Sequence, residues 1–200
     1  RTRIRDQAKK NNWRRIAIVS AGPQVGKTTT LTNLAFSFGR LPYHKTMVFD
    51  FDLRRPSLQT LLNHHPTTQI DDVVEGRTPF EAHCCRVGEN LAFSLNAQPV
   101  ANSAELLQSD GMSDFLSGVQ DIYEPELMLF DTPPLLAADD TRGFLSNVDA
   151  ALLIVEAERT PIDQIDVVEQ QLSELTNVLG VVLNKCNYPD PTSTANYEYY

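Results

Sequence analysis

A glycine-rich segment near the start of the chain, AGPQVGKTTT at residues 21–30, lies between two patterns of different periodicity. A short apolar run, 16–20, precedes this segment, and apolar residues at helical spacing follow over 27–38. The segment fits the phosphate-binding pattern G-x-x-x-x-G-K-[ST] at every fixed position except the first, where Ala21 replaces glycine. A loop of this kind needs a buried strand that leads directly into a helix, which restricts the fold to α/β architectures.

The residues of this loop have separate tasks in holding a nucleotide. Successive backbone N–H groups of the loop and of the helix N-terminus surround the phosphate oxygens. Gly26 permits close approach of the backbone, Lys27 reaches the β- and γ-phosphates, and Thr28 offers its hydroxyl to Mg²⁺. Pro23 has no N–H to donate, but it lies early in the loop, where one donor can be spared. The sequence therefore predicts a site for a nucleoside triphosphate with Mg²⁺.

The rest of the chain alternates between short apolar runs and longer stretches with helical spacing. Runs of this length that are apolar on both faces are typical of strands buried in a parallel sheet. The predicted strands are 16–20, 47–51, 91–95, 127–130, 150–155 and 178–183. The predicted helices are 27–38, 104–122 with a break near Gly111, and 161–175. We therefore expect one α/β domain with a doubly wound, mostly parallel sheet and helices on both faces.

Aspartates follow two of the predicted strands. Asp50 and Asp52 end the run VFDFD, and Asp131 ends the run LMLFD. In a doubly wound sheet, catalytic groups collect beyond the carboxyl ends of the strands. An acidic residue that closes an apolar strand is the Walker B pattern, which holds Mg²⁺ directly or through water. The alternative is an aspartate that caps a helix at a strand–helix junction, but three such carboxylates beside a phosphate loop favour the metal site.

Charge and cysteine usage exclude several classes of partner and site. The net charge is −9, although the first fifteen residues are basic, with seven cationic side chains against Asp6. A body this acidic binds a phosphate backbone poorly, so we expect no nucleic-acid partner. The basic stretch is either a solvated helix or a surface that faces anionic lipid or an acidic subunit. The three cysteines form no CxxC pair and the histidines lack metal-ligand spacing, which predicts reduced thiols and no zinc site.

The sequence resembles the cytoplasmic kinase domain of bacterial tyrosine kinases in four segments: AGPQVGKTTTLTNLA, VFDFDLRRPSL, LMLFDTPPLLAADD and LGVVLNK. Members of this family are autokinases attached to the chain-length regulators of capsule and exopolysaccharide export. Many ATPases share the phosphate loop, whereas the D-x-D-x-R-x-P form of the second segment and the tyrosine-bearing end of the chain are more specific. The resemblance covers nearly the whole chain.

This resemblance implies a role for each matching residue. ATP and Mg²⁺ are the expected cofactors, with the phosphates held by Gly22, Pro23, Gln24, Val25, Gly26, Lys27, Thr28 and Thr29. Thr28, Asp52 and Asp131 would support the metal. Asp50 would accept the proton of an incoming tyrosine hydroxyl, and Asn184 would contact the adenine edge. The implied catalytic set is Lys27, Asp50, Asp52 and Asp131.

The resemblance also implies how the protein is organised and with what it works. Residues 1–186 would form the kinase domain, and 187–200 a flexible tail with the acceptor tyrosines Tyr197, Tyr199 and Tyr200. Arg1-Thr2 aligns with the end of a helix motif that joins subunits into a ring, such as an octamer. Apart from the resemblance, the short arm after Lys185 contains Pro189 and Pro191, whose extended conformation favours phosphorylation of the tails in trans. The other expected partners are a membrane-spanning chain-length regulator, in the same or a separate chain, and a phosphotyrosine phosphatase. The expected location is cytoplasmic, at the inner face of the bacterial inner membrane.

Two hypotheses without kinase activity compete with this one. The partitioning and cell-division ATPases share the fold, but they carry an extra lysine at the loop position where this chain has Gly22. The hypothesis of an ATPase scaffold that acts as a nucleotide-gated assembly switch is not excluded, and formation of phosphotyrosine would discriminate it from a kinase.

Asp140, a few residues after Pro133 and Pro134, is expected to cap a helix.

Overall fold

The computed structural model describes residues 1–187, which form a seven-stranded sheet with helices on both faces. The strands are β1 (Arg15–Ser20), β2 (Thr46–Asp50), β3 (Cys84–Val87), β4 (Leu91–Ser94), β5 (Leu127–Asp131), β6 (Ala150–Glu156) and β7 (Asn177–Asn184). The helices are α1 (Thr2–Asn11), α2 (Lys27–Gly39), α3 (Leu58–Leu61), α4 (Ile70–Val74), α5 (Phe80–His83), α6 (Ser103–Leu107), α7 (Asp110–Tyr123), α8 (Asp139–Phe144) and α9 (Ile162–Leu175). A 3₁₀ turn follows α8 at Leu145–Asn147. Over residues 1–187, no helix has both the length and the apolar character that crossing a bilayer requires.

The strand order is β3-β4-β2-β5-β1-β6-β7, with β1 near the centre of the sheet. Every neighbouring pair is parallel except β3 and β4, which are antiparallel. The predicted doubly wound, mostly parallel sheet is therefore confirmed, and each of the six predicted strands is present. The sequence pattern missed β3, because this edge strand, Cys84–Val87, is only half-buried at its start and exposed at its end, so it lacks an apolar run.

The sheet separates two hydrophobic cores. Ala17 and Val19 of β1 face the core that α4 to α9 cover, whereas Ile16 and Ile18 face the core under α1, α2 and α3. This alternation follows from the period-two geometry of a strand. Because both faces of β1 are covered, its residues are apolar without interruption, which is why its run was readable in the sequence.

The predicted break in the long helical stretch 104–122 is also confirmed, slightly before its expected place. Helix α6 ends at Leu107 and α7 begins at Asp110. Ser109 between them is the N-cap of α7, and its hydroxyl accepts a 3.1 Å hydrogen bond from the backbone N–H of Met112. Gly111 lies inside α7, so the capping serine rather than the glycine sets the break.

Strand register brings the acidic strand ends to one edge of the sheet. Asp50 of β2 lies opposite Asp131 of β5, which in turn lies opposite Ile18 of β1. The phosphate loop leaves β1 two residues after Ile18, at Ser20. The carboxyl ends of these three adjacent strands therefore place the aspartates beside the loop, as expected for a doubly wound sheet.

Candidate active site

The phosphate loop connects β1 to α2 as predicted and borders a cleft. Gly26 has φ of 88°, and a Cβ at this position would lie 2.3 Å from Nδ2 of Asn184, so only glycine fits. The cleft has a volume of about 680 Å³, within the usual range for a small-molecule site. Its walls contain many of the predicted residues: Pro23, Gln24, Gly26, Lys27, Thr28, Thr29 and Asp52.

The remaining predicted loop residues fix the loop to the sheet. Val25 is buried in the core beneath α2, and the carbonyl of Gly22 accepts a 2.8 Å hydrogen bond from the hydroxyl of Ser20. Gln24 has φ of 61°, a left-handed conformation that non-glycine residues rarely adopt. The loop is therefore anchored on both sides of a conformationally strained residue.

Lys27 and Thr28 converge on the Walker B carboxylate. The Lys27 ammonium forms an ion pair with Oδ1 of Asp131, and the Thr28 hydroxyl donates a 2.7 Å hydrogen bond to Oδ2. The side chains of Lys27 and Asp131 are 8% and 0% exposed, and charges this deep are tolerated only when they are paired. The side chains that the loop motif assigns to phosphate and to Mg²⁺ thus share one carboxylate.

Asp50 lies below the cleft and is fully buried. Its Oδ2 accepts hydrogen bonds from the backbone N–H groups of Ser57, at 3.0 Å, and Leu58, at 2.9 Å. These bonds tie the end of β2 to the start of α3. The other carboxylate oxygen, Oδ1, is buried without a hydrogen-bond partner in the described part of the chain.

Electrostatics show a surplus of negative charge around the loop. Burial and the adjacent Asp131 carboxylate raise the pKa of Asp50 to about 8. Burial also raises the pKa of Asp52, although the nearby ammonium of Lys27 opposes this shift. Because three carboxylates share one lysine here, a proton or a second cation would stabilise the cluster.

The residues present fit Mg²⁺. Carboxylate and hydroxyl oxygens are the ligands that this ion prefers, and Oδ1 of Asp50 is a buried carboxylate oxygen without a hydrogen-bond partner in the described part of the chain. Between residues 1 and 187, no three acidic, histidine or cysteine side chains are grouped closely enough to hold a metal alone. Mg²⁺ binds proteins through one or two carboxylates while keeping water and phosphate oxygens. Thr28 and Asp131, whose oxygens lie 2.7 Å apart, are the residues that would hold it, and Asp52, the third predicted metal residue, lines the same cleft.

The structure distinguishes the two aspartates of the D-x-D pair. Asp52 lines the cleft, whereas Asp50 is buried beneath it with one oxygen already bound to two backbone N–H groups. A general base must come within about 3 Å of the proton that it accepts. The geometry therefore does not support Asp50 as the residue that meets a tyrosine hydroxyl, and Asp52 is the accessible carboxylate.

Asn184 ends β7 next to the phosphate loop, but its amide contacts the loop itself. Nδ2 donates a 2.8 Å hydrogen bond to the carbonyl of Val25. Its expected contact with adenine stays a prediction. Lys185, which the sequence pattern did not single out, lines the cleft, and its ammonium bonds the carbonyl of Gln24 at 2.6 Å and Glu156 at 3.1 Å.

Asp140 has a different role from the predicted helix cap. Residue Ala138 is the N-cap of α8, and the buried Asp140 carboxylate instead pairs with Arg54 at 2.7 Å and accepts a hydrogen bond from the Ser103 hydroxyl. Burial alone would raise the pKa of Asp140, but the hydrogen bonds from Arg54 and Ser103 outweigh burial and lower it. The sequence feature that pointed to this pair was Arg54, the arginine of the D-x-D-x-R-x-P motif. Arg54 also lines the cleft.

The predicted acceptor tyrosines lie outside the described residues. The tail was expected at 187–200, with Tyr197, Tyr199 and Tyr200, and the structure describes the chain as far as Asn187. Their role is taken up as a proposal below.

The fold and the loop define a class of nucleotide-binding proteins. The family model "CobQ/CobB/MinD/ParA nucleotide binding domain" matches residues 16–198, so the chain is a P-loop domain of this kind. Within that class, it is 29% identical over 186 residues to tyrosine-protein kinase YwqD of Bacillus subtilis (strain 168), covering 92% of this chain and 77% of the relative. It is 30% identical over 173 residues to tyrosine-protein kinase CpsD of Streptococcus pneumoniae serotype 4, covering 85% and 75%. The chain belongs to the bacterial tyrosine kinase family, as its motifs predicted.

Solved structures and longer relatives agree with this assignment. The kinase domain of VpsO superposes with a TM-score of 0.82 at 26% identity, over 93% of this chain and 91% of that domain. The cell division ATPase MinD of Pyrococcus furiosus, with a TM-score of 0.70 at 24% identity, shares the fold. Tyrosine-protein kinase wzc of Salmonella typhimurium is 26% identical over 191 residues, but this chain spans only 26% of its length. Domains of this kind therefore also occur within much longer proteins.

Proposed function

We propose that this chain is an ATP-dependent protein-tyrosine kinase that phosphorylates tyrosines of its own C-terminal segment. The observation that carries the proposal is the convergence of Lys27 and Thr28 on Asp131 beside a cleft that Asp52 lines. That arrangement supplies a lysine, a hydroxyl and carboxylates at the place where a phosphate loop holds ATP. The kinase names of the relatives support tyrosine as the acceptor.

In the proposed reaction, the phenolic oxygen of tyrosine attacks the γ-phosphorus of ATP. The new O–P bond forms as the bond to the β–γ bridging oxygen breaks, ADP leaves, and the phenolic proton passes to a carboxylate. A tyrosine with an ordinary pKa of about 10 is neutral at pH 7 and needs such an acceptor. We assign this role to Asp52, because it is accessible in the cleft and its raised pKa makes it a stronger base.

Charge stabilisation in this site depends on Lys27 exchanging partners. Where its ammonium turns from Asp131 to the β- and γ-phosphates, the Asp131 carboxylate would become available to a cation that accompanies the nucleotide. Bound Mg²⁺ would neutralise charge on the phosphate oxygens. Asp50 stays in the interior as a positioning residue that holds the start of α3 through Ser57 and Leu58.

We propose Tyr197, Tyr199 and Tyr200 as the acceptors, modified in trans between copies of the chain in a ring such as an octamer. The segment between Lys185 and Tyr197 contains Pro189 and Pro191, and prolines favour extended conformations that suit a neighbouring site better than a tight return. A membrane-spanning chain-length regulator at the inner face of the inner membrane, in the same or a separate chain, would activate the kinase. A phosphotyrosine phosphatase would reverse the modification.

A mixing experiment tests both the activity and its direction. A Lys27→Met protein with intact tyrosines is combined with an active protein whose three tail tyrosines are phenylalanine, in the presence of ATP and Mg²⁺. Phosphotyrosine on the Lys27→Met chain, located by mass spectrometry, is the expected result. Wild-type autophosphorylation without any label on the inactive chain would refute transfer in trans. Absence of phosphotyrosine in every mixture, with ATP hydrolysis retained, would instead favour the ATPase switch.

That second candidate is a nucleotide-gated assembly switch that hydrolyses ATP without modifying tyrosine. The likeness to the MinD fold favours it. Gly22 argues against this candidate, because the partitioning and cell-division ATPases carry a lysine at this loop position.

A further inference from the structure

Two consecutive carbonyl groups of the phosphate loop accept hydrogen bonds from the two residues at the end of β7. The Asn184 amide bonds the carbonyl of Val25 at 2.8 Å, and the Lys185 ammonium bonds the carbonyl of Gln24 at 2.6 Å. The bonded residues are 159 and 161 positions apart in the chain. Tertiary structure alone therefore brings β7 onto the loop.

These bonds fix the direction of the neighbouring N–H groups. In a trans peptide unit, the N–H group points opposite to the C=O group of the same plane, and no cis peptide bond occurs in the described chain. The carbonyl of Gln24 shares its plane with the N–H of Val25, and the carbonyl of Val25 shares its plane with the N–H of Gly26. With both carbonyls held toward β7, the two N–H groups point to the other side of the loop backbone, where consecutive N–H groups can form an anion-binding concavity.

The backbone around these contacts adopts conformations that need such support. Gln24 and Lys185 have φ of 61° and 55°, and non-glycine residues in this region persist only where the surroundings hold them. Glu156, at the end of β6, is 9% exposed and pairs with the Lys185 ammonium at 3.1 Å. The buried carboxylate thus holds the lysine over the loop, while packing of Asn184 against Gly26 leaves no space for a Cβ.

We propose that Asn184 and Lys185 form a clamp that directs the N–H groups of Val25 and Gly26 toward the β-phosphate of the bound nucleotide. Lys185 is then a positioning residue of the phosphate site, and Glu156 holds it in place. The clamp rests on the proposed function only in taking a nucleoside di- or triphosphate as the ligand. It does not depend on which group accepts the phosphoryl group.

The test compares ADP with AMP, which lacks the β-phosphate. Lys185→Met removes the ammonium and keeps an unbranched apolar side chain. Lys45→Met is the matched control, because the Lys45 ammonium also donates to a backbone carbonyl, that of Tyr123 at 3.1 Å, outside the cleft. Dissociation constants are measured by calorimetry on the full chain, with thermal unfolding followed in parallel. We expect Lys185→Met to weaken ADP binding about five- to tenfold, the worth of one ordinary hydrogen bond, and to change AMP binding less than twofold.

Two further variants keep the result interpretable if Lys185→Met fails to fold. Glu156→Gln retains the lysine but removes its carboxylate, and it should weaken ADP binding by a smaller factor with AMP binding unchanged. Lys185→Arg retains a cationic donor and should recover part of the ADP affinity. Lys45→Met should match the wild type for both ligands.

The possible outcomes distinguish the proposed clamp from other roles of Lys185. An equal loss of ADP and AMP affinity would mean that Lys185 contacts the nucleoside and would overturn the clamp, as would unchanged binding of both ligands. A wild type that binds ADP but forms no phosphotyrosine would contradict the proposed kinase function and leave the clamp standing. A wild type that binds neither ADP nor ATP would contradict both.

Discussion

Asp50 and Asp131 lie directly opposite each other on the adjacent parallel strands β2 and β5, and both side chains are fully buried. Like charges at opposed positions in a sheet repel each other. Lys27 supplies the compensating charge from the first turn of α2 through its ion pair with Asp131. The lysine that we propose for binding the ATP phosphates therefore also compensates a buried carboxylate.

Lys27→Met should destabilise the protein as well as abolish tyrosine phosphorylation. Loss of the ammonium leaves the buried Asp131 carboxylate without its cation, which should lower the free energy of unfolding by about 3 kcal/mol. Denaturant unfolding measures the change. Lys27→Met combined with Asp131→Asn should recover a large part of the loss, since the variant pair leaves no buried charge at position 131. A double variant no more stable than Lys27→Met would show that the ion pair contributes little.

Asp52→Asn and Asp50→Asn should differ in their effect on phosphoryl transfer. We expect Asp52→Asn to lower the rate of phosphotyrosine formation by about 100-fold or more, because it removes the accessible proton acceptor. Asp50→Asn should have a smaller effect, since an amide oxygen can still accept the N–H bonds of Ser57 and Leu58. Single-turnover assays at saturating ATP, with ADP affinity measured alongside, compare the two. The opposite order would return the role of base to Asp50.

Arg54→Ala should lower the thermal unfolding temperature through Asp140. Removing the guanidinium leaves the fully buried Asp140 carboxylate with only the Ser103 hydroxyl as a side-chain donor. We expect a fall in Tm of about 3 to 6 °C, and Asp140→Asn in the same background should reverse much of it. Arg55→Ala is the matched control, because Arg55 takes part in no ion pair within residues 1–187. Equal effects of Arg54→Ala and Arg55→Ala would contradict this assignment.

His83 should make the protein sensitive to acid. Its ring nitrogens lie 2.9 Å from the Thr68 hydroxyl and 2.8 Å from the Ser94 hydroxyl, and burial lowers the pKa of His83 to about 4, although Asp72 and Asp71 oppose the shift. The unfolded chain, with a histidine pKa of about 6.5, binds more protons between these two values. The stabilising contribution of neutral His83 is therefore complete above about pH 6.5 and is lost as pH falls toward 4.

Urea unfolding at a series of pH values measures this contribution. The wild type should lose about 3 kcal/mol across the window because of His83, in addition to whatever the carboxylates contribute. His83→Gln, which keeps both a donor and an acceptor, should show a flatter dependence in the same buffers. Parallel curves for the two proteins would rule out His83 as the source.

The sequence predicted the sheet and the loop because their signals are local. Strands covered on both faces read as apolar runs, and the phosphate loop is a contiguous motif. The pairs Arg54–Asp140 and Lys185–Gln24 each join distant parts of the chain, so the motif that contains Arg54 marked the arginine but could not identify its partner. Short helices such as α3 and α5 span about one turn and leave no periodicity to detect.

The sequence pattern could not predict that Asp50 is buried while Asp52 is accessible. In a strand that continued through Asp52, period-two alternation would point Asp50 and Asp52 to the same side of the chain. Strand β2 ends at Asp50, so the alternation does not extend to Asp52, which lies in the following loop. Asp50 points into the protein while Asp52 reaches the cleft. Which of the two residues was accessible depended on where the strand stopped, and strand boundaries are the least certain part of a sequence prediction.

The ion pair between Lys27 and Asp131 couples the binding of an anion at this site to the binding of a cation. A phosphate that draws the ammonium away from the carboxylate leaves a buried carboxylate that requires a new cation. Neither a metal-free nucleotide nor a free metal ion completes this exchange, so each partner should bind more tightly in the presence of the other. The coupling is reciprocal by thermodynamic necessity. The cleft would thus discriminate between a nucleotide with its metal and either component alone before any tyrosine arrives.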